Sequence, residues 1–309
     1  ILDDDSEDET RQVAETLLSA SKIPYQIIRG QKWSPEFGLT GKNWACHQLS
    51  QAAHEEIFIF CDDDVTISPK LTERTLRLIQ QNPKASGMSG LPNLKTSGFL
   101  QWLIMPWIMQ IPLGISLPLG FAWRWPRPSM QLANGQWLAI RRTDYLAAGG
   151  HLALGKAVLD DIQLAQNLVV HARGGLIPAV ATQDLEVCMY SNWKNMVTGF
   201  SKNLVQIYGG RPMNFIFLLL GLNFIFFIPL LSLNKPTPIM LGAFGLVFLL
   251  RAVTALLFGR SLMQTFLQVL LLWPALFALN YFSVLVLKNQ MLHKTDWKGR
   301  STSLARFKI

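Results

Sequence analysis

The stretch EIFIFCDDDV sets three consecutive aspartates, Asp62, Asp63 and Asp64, directly after an apolar run. Like charges this close repel, so the chain needs a counter-ion or open water beside them. Alternate side chains of a strand share a face, so Asp62 and Asp64 are expected to point one way and Asp63 the other. Two hard oxygen donors at a strand end make part of a site for Mg2+ or Mn2+, which leaves room for phosphate oxygens. A solvated acidic turn would carry the same letters, because a lone D-x-D is a short motif.

Two further acidic clusters and one lysine change that balance. Asp3, Asp4 and Asp5 follow what reads as the end of a strand in ILDDDSEDET. There Asp3 or Asp4 could accept hydrogen bonds from a uracil or a ribose. Ser6 and Glu9 also read as a capping box, which would explain the acidity by helix chemistry alone. Asp160 and Asp161 precede the helical pattern of Ile162, Leu164, Ala165 and Leu168. Carboxylates at a helix start are common caps. Beside a metal–diphosphate site, such a group can instead take a proton from an attacking hydroxyl. Lys42, in TGKNWA, stands at a loop–helix junction where a cation could meet phosphate.

Strands alternating with helices must carry these groups. After the acidic start, Val13, Leu17 and Leu18 give a helical apolar face. PYQIIRG reads as a short strand and GLTGKNWACHQLSQAAH as a Gly-rich loop entering a helix. EIFIFC is apolar on both faces, as expected of a central parallel strand. This pattern predicts an open α/β sheet of Rossmann-like type, with ligands at the carboxyl ends of its strands. The opening at Ile1, at a strand end, predicts a further strand before it.

The chain then becomes apolar. Residues 99–125 (FLQWLIMPWIMQIPLGISLPLGFAWRW) are long enough to span a bilayer, yet Pro106, Pro112 and Pro118 are expected to break them. A crossing there would part the acidic groups before it from those after it. The segment is therefore expected to be interfacial or re-entrant, with Trp102, Trp107, Trp123 and Trp125 as a belt. Soluble-type sequence resumes to about residue 205, and Tyr190, Trp193, Met196 and Phe200 read as an interfacial amphipath. Three spans follow, roughly 213–233, 239–258 and 262–287, in a membrane region of 213–287 with Pro274 as a kink. A basic tail, 288–309, closes the chain. Three crossings put that tail opposite the first domain, whereas the positive-inside rule prefers it in the cytosol; either one segment is re-entrant or the tail is an exception.

Half of the 309 residues are hydrophobic and 16% are charged, with a net charge of +8. Arg211, Arg260, Lys288, Lys294, Lys298 and Arg300 flank the apolar spans, so the basic excess is read as contact with anionic lipid and not with nucleic acid. Cys46, Cys61 and Cys188 have no metal-ligand spacing and read as reduced thiols of a cytosol-facing domain.

Taken in order, LDDDSEDET, TGKNWA, FCDDDV, NGQWLAIRR…GGH and LDDIQLA resemble the motifs of family 2 inverting glycosyltransferases with the GT-A fold. The resemblance covers about residues 1–205, with membrane helices after it as in the lipid-modifying branch. It implies that Asp4, with Asp3, contacts the nucleoside. Asp62 and Asp64 would hold Mg2+ or Mn2+ and the diphosphate, and Asp161 would be the catalytic base. Asp63 and Asp160 join Lys42 as substrate-binding candidates, and Asn134 and Gly135 would form the acceptor-side loop. NGQWLAIRRTDYLAAGGH, MYSNWKNMVTGFSKN and WKGR look most like carotenoid and related isoprenoid-lipid glycosyltransferases; hopanoid-associated and ceramide glucosyltransferases are more distant. The processive Q-x-x-R-W signature is absent, and TGFSKN, with Lys202 as a phosphate candidate, stands in the comparable place.

The expected protein is thus a multi-pass enzyme of the cell membrane, its catalytic domain facing the cytoplasm. It would transfer sugar from a nucleotide-sugar, with UDP favoured, to a lipid hydroxyl. Two rivals remain: a membrane polysaccharide synthase, and a transporter or scaffold in which Arg251 is the intramembrane charge.

Overall fold

The computed structural model describes residues 1–4, 6–116, 124–172, 174–207, 210–231, 237–257, 259–292, 296–297 and 300–301. The chain forms two compact units. The first comprises Ile1–Cys61, Thr75–Ser89 and Phe121–Ile177, and the second Asp62–Arg74, Gly90–Gly120 and Pro178–Ile309.

In the first unit, β1 (Leu2–Asp3) and β2 (Ile28–Arg29) pair in parallel around α1 (Thr10–Ser19). The expected capping box is replaced: α1 begins after Glu9, which makes no side-chain cap, and Asp8 Oδ1 accepts the Thr10 N–H at 3.0 Å. Asp8 lies two residues from that donor, so its short side chain reaches it where Ser6 cannot. The apolar face of α1 is uncovered, with Leu17 70% exposed.

α2 (Gly41–Ala52) leads into β3 (Ile57–Cys61). The main sheet has the order β3–β7–β5–β8, built from β5 (Gly87–Leu91), β7 (Trp137–Arg141) and β8 (Leu176–Val180). EIFIFC is therefore not a central parallel strand. β3 ends this sheet among the described residues and runs antiparallel to β7, with Ile57 opposite Arg141 and Cys61 opposite Trp137. Of its residues only Phe58 is buried. Its apolar character has a local cause: Phe58 meets Tyr145 edge-on at 5.5 Å, and Phe60 meets His151 at 4.7 Å. The interior strands are β7, whose Trp137, Leu138, Ala139 and Ile140 are all buried, and β5. α5 (Arg142–Ala147) and α6 (Asp160–His171) close the core through Tyr145, Leu164 and Leu168.

In the second unit, β4 (Val65–Ile67), β9 (Leu185–Val187) and β6 (Asn93–Leu94) form a small sheet of order β4–β9–β6. Its core joins α4 (Phe99–Ser116), α7 (Trp193–Ile207), α8 (Pro212–Leu231), α9 (Pro238–Leu257) and α11 (Leu272–Met291), and α10 (Leu262–Leu270) packs on α9.

α4 runs unbroken past Pro106 and Pro112, against expectation. Proline lacks the N–H that would bond the carbonyl four residues back, so Pro106 deprives the Trp102 carbonyl of its helical donor. Gln268 supplies one through Nε2 at 2.7 Å. Arg251 Nη2 donates to the next carbonyl, Leu103, at 3.0 Å, and also to Gln268 Oε1. The fully buried guanidinium lies 4.8 Å from the centre of the Trp107 ring. The guanidinium of Arg251 thus holds the Gln268 side chain that caps the carbonyl freed by Pro106. Of the expected tryptophan belt, Trp107 is buried and Trp102 packs against the same core, Trp125 is exposed, and Trp123 falls outside the described residues.

No single helix among the described residues is long and apolar enough to cross a membrane. Two bent pairs combine the length and composition: Trp193–Ile207 with Pro212–Phe227, bent by 93°, and Leu262–Leu270 with Leu272–Met291, bent by 72°. The break in the expected third span falls at Leu271. The expected kink at Pro274 is thus found: Pro274 is the third residue of α11, and the helix breaks in the turn before it, where the Leu270 carbonyl would need the missing N–H. Most of the basic tail, with Lys294 and Lys298, lies outside the described residues, as does Asp5.

Candidate active site

Two helix starts and one loop of the first unit build the site. Thr40 caps α2 by accepting the Asn43 N–H at 3.1 Å, which fixes Lys42 in the first turn. Asn43 then ties that turn to the carbonyl of Gly155 at 3.1 Å. Asp160 and Asp161 open α6, as the sequence pattern predicts.

The Asp161 carboxylate is held at both oxygens. Oδ1 accepts the Ile162 N–H at 2.8 Å, and Oδ2 accepts the Gly135 N–H at 2.9 Å. The loop aims that second donor. The Asn134 N–H donates to Ser89 Oγ at 2.7 Å, and Asn134 Oδ1 accepts the Gln136 N–H at 3.0 Å. Asn134 therefore closes its own turn with its side chain, and Gly135 presents the N–H. Ser89 was not foreseen, since a lone serine in a strand carries no sequence signal.

Protein atoms crowd the Asp161 carboxyl, and this burial pushes its pKa up to about 6. The neighbouring Asp160 charge pushes the same way; the Ile162 N–H, Lys42 and the Gly135 N–H oppose it. At neutral pH the group is largely ionised yet far more basic than an ordinary aspartate, which suits a general base. Lys42 Nζ lies 3.5 Å from Asp160 Oδ2.

A buried Tyr145–His151 pair stands beneath this group. Tyr145 Oη lies 2.8 Å from His151 Nδ1 and accepts the His151 backbone N–H at 3.0 Å. The phenolic oxygen can donate or accept, so the direction of the Oη–Nδ1 hydrogen bond follows the imidazole tautomer. Burial drives His151 down to about 4, with Asp160 opposing and Lys42 and His47 assisting, so the ring is neutral at pH 7. Gly150 has φ +53°, and a Cβ there would come 2.6 Å from the Tyr145 ring. The GGH motif therefore has a backbone reason. The sequence displays the motif, but only the fold reveals Tyr145 as its partner.

The remaining candidates lie elsewhere. Asp3 sits at the end of β1, where Oδ1 accepts the Ser6 N–H at 3.1 Å, and hydrogen bonding from Ser6 lowers its pKa. Asp4 follows it, half-buried. In the second unit, Asp62, Asp63 and Asp64 occupy the turn between β3 and β4, so strand alternation does not set their directions. Asp62 is half-buried, and Asp63 and Asp64 are exposed. Burial raises the Tyr190 hydroxyl pKa, and the Asp64 charge adds to the rise. Lys202 is buried on α7.

No group of three or more His, Cys, Asp or Glu side chains suited to a metal occurs among the described residues. The donor set of Asp62 and Asp64 nevertheless fits Mg2+ or Mn2+. Such ions keep several waters and bind through one or two carboxylates plus substrate phosphates.

No curated protein matches the chain. A family model does match residues 1–117, a stretch that contains Asp3, Asp4, Lys42 and Asp62–Asp64 and ends before Asn134, Gly135, Asp160 and Asp161. The mixed α/β sheets fit the GT-A fold. The model is described as glycosyl transferase family 2, and with that match the chain is a glycosyltransferase.

Proposed function

We propose that this glycosyltransferase inverts the anomeric centre of a nucleotide-sugar, most simply a UDP-sugar, while passing the sugar to a lipid hydroxyl. The observation that carries the chemistry is Asp161: a carboxylate held by two backbone N–H groups at a helix start, with its pKa pushed to about 6. It takes the proton of the acceptor hydroxyl as that oxygen bonds to the anomeric carbon. The bond from that carbon to the diphosphate oxygen breaks, and the nucleoside diphosphate leaves with the electron pair. One displacement inverts the centre.

Asp62 and Asp64 would hold the metal, Asp3, Asp4 and Asp63 are the donor-side candidates, and Lys42 and Asp160 stand beside the base. A bound Mg2+ or Mn2+ supplies charge neutralisation for the departing diphosphate.

The second unit's surface favours a lipid acceptor. Phe217, Phe224, Leu249, Phe266 and Phe277 are each more than half exposed on α8 to α11. Exposed apolar side chains on helices of this length suit a membrane surface. We place the enzyme in the cell membrane as a multi-pass protein, catalytic side to the cytoplasm, with a hydroxylated carotenoid or other isoprenoid lipid as acceptor. The test incubates membranes holding the full chain with labelled nucleotide-sugars and a hydroxylated carotenoid. The expected product is organic-extractable and of inverted anomeric configuration. Transfer to soluble sugars alone would contradict the lipid acceptor.

A further inference from the structure

We infer that Lys42 serves the reaction as a positioning residue, holding Asp160 and balancing the charge around Asp161, and not as a ligand of the donor phosphates. The inference rests on the glycosyl-transfer reading for its consequence in catalysis, and on geometry for its basis.

The Lys42 ammonium and the Asp161 carboxyl converge on one bare Cα, and the Asp160 carboxyl lies beside the ammonium. Lys42 Nζ lies 3.5 Å from Asp160 Oδ2. A Cβ added to Gly135 would come 3.2 Å from Lys42 Nζ and 3.7 Å from Asp161 Oδ2. The same glycine gives its N–H to Asp161 Oδ2. Gly135 thus does two things at once: its backbone fixes the base, and its missing side chain leaves room for the lysine.

The physical need is plain. Adjacent carboxylates at a helix start repel, and ionising both in a crowded site requires a cation close by. The elements packed around Asp161 bring several charged or titratable groups: Asp160 on α6, Lys42 and His47 on α2, Arg142 and Asp144 on α5, Arg127 beside the turn 128–130, and His151. Of these, Asp160 and Lys42 are the ones whose charge acts on the Asp161 carboxyl, in opposite directions. His151 stays neutral and cannot substitute for the lysine. Without the ammonium the pair is left with its mutual repulsion, and Asp161 holds its proton to higher pH.

The experiment titrates the full chain in detergent with carbon-13 at the aspartate carboxyls. The Asp161 resonance is identified by its loss in Asp161→Asn. Lys42→Met keeps the length of the side chain and removes its charge; Lys42→Arg keeps the charge. The Asp161 midpoint is expected to rise by about half a unit or more in Lys42→Met and to return toward the parent in Lys42→Arg. The acid limb of kcat/KM moves with it, while the donor KM changes less than about threefold. An unmoved midpoint in Lys42→Met overturns the inference. So does a donor KM raised about tenfold or more with the acid limb unmoved, which would make Lys42 a phosphate ligand. If the parent transfers no sugar but the midpoint still shifts, the proposed function fails while the control of Asp161 by Lys42 stands.

Discussion

One carboxyl group carries most of the account at the scale of single residues. Below its midpoint near pH 6 Asp161 is protonated, so kcat/KM is expected to fall about tenfold per pH unit on the acid side. Asp161→Asn is expected to lose about 10²–10⁴-fold in transfer rate. The same substitution should stabilise the fold. A carboxyl whose folded pKa is raised from 3.8 to about 6 holds its proton longer folded than unfolded, so stability falls as pH rises across that window. The penalty is absent below pH 3.8 and complete above pH 6, and amounts to at most about 3 kcal/mol. Thermal melts should therefore place Asp161→Asn above the parent at pH 8 and level with it near pH 4. Equal melting at pH 8 would contradict the raised pKa. The sequence displays Asp160 and Asp161 at a helix start because acidic residues before an apolar periodic run carry that signal. It says nothing of Gly135 as donor or Ser89 as anchor, since both act through backbone contacts between residues far apart in the chain.

The scale of elements shows how a proline-bearing helix is kept whole. Pro106 reads in the sequence as a break, and that rule holds for an isolated helix. Here the freed Trp102 carbonyl receives Gln268, and Leu103 receives Arg251, from α10 and α9. No local pattern announces donors about 150 residues away. Gln268→Leu is expected to destabilise by about 2–4 kcal/mol, because it strands a carbonyl and removes one acceptor from a buried guanidinium. In a Pro106→Ala background, where α4 regains its own N–H, the same substitution should cost about 1 kcal/mol less. Thermal unfolding of the four chains in detergent checks the cycle, and identical losses in both backgrounds would contradict the capping role. β3 teaches a related lesson. An apolar strand was legible, but its antiparallel partner β7 was not, because an all-apolar run reports burial and not strand direction. The aspartates after it belong to a turn for the same reason: strand length is set by pairing with β7, which stops at Cys61 opposite Trp137.

For the whole molecule, the apolar C-terminal third was plain from composition, and helices cover 212–231, 238–257 and 262–291 close to the expected spans. The bend at Leu271 was legible in Pro274, which lacks the N–H that a continuous helix would give the Leu270 carbonyl one turn earlier. Asn223 and Asn280 exchange side-chain hydrogen bonds at 2.9 and 2.7 Å between α8 and α11, a polar clasp suited to helices packed in lipid. The full chain is expected to float with liposomes and to resist carbonate extraction; release by carbonate would remove the membrane from the account. The decisive experiment follows label from a nucleotide-sugar into extractable lipid, in membranes, beside Asp161→Asn. Label that enters the lipid phase with the parent and not with Asp161→Asn is the expected result. Equal labelling by both chains would contradict the assignment of Asp161 as the base.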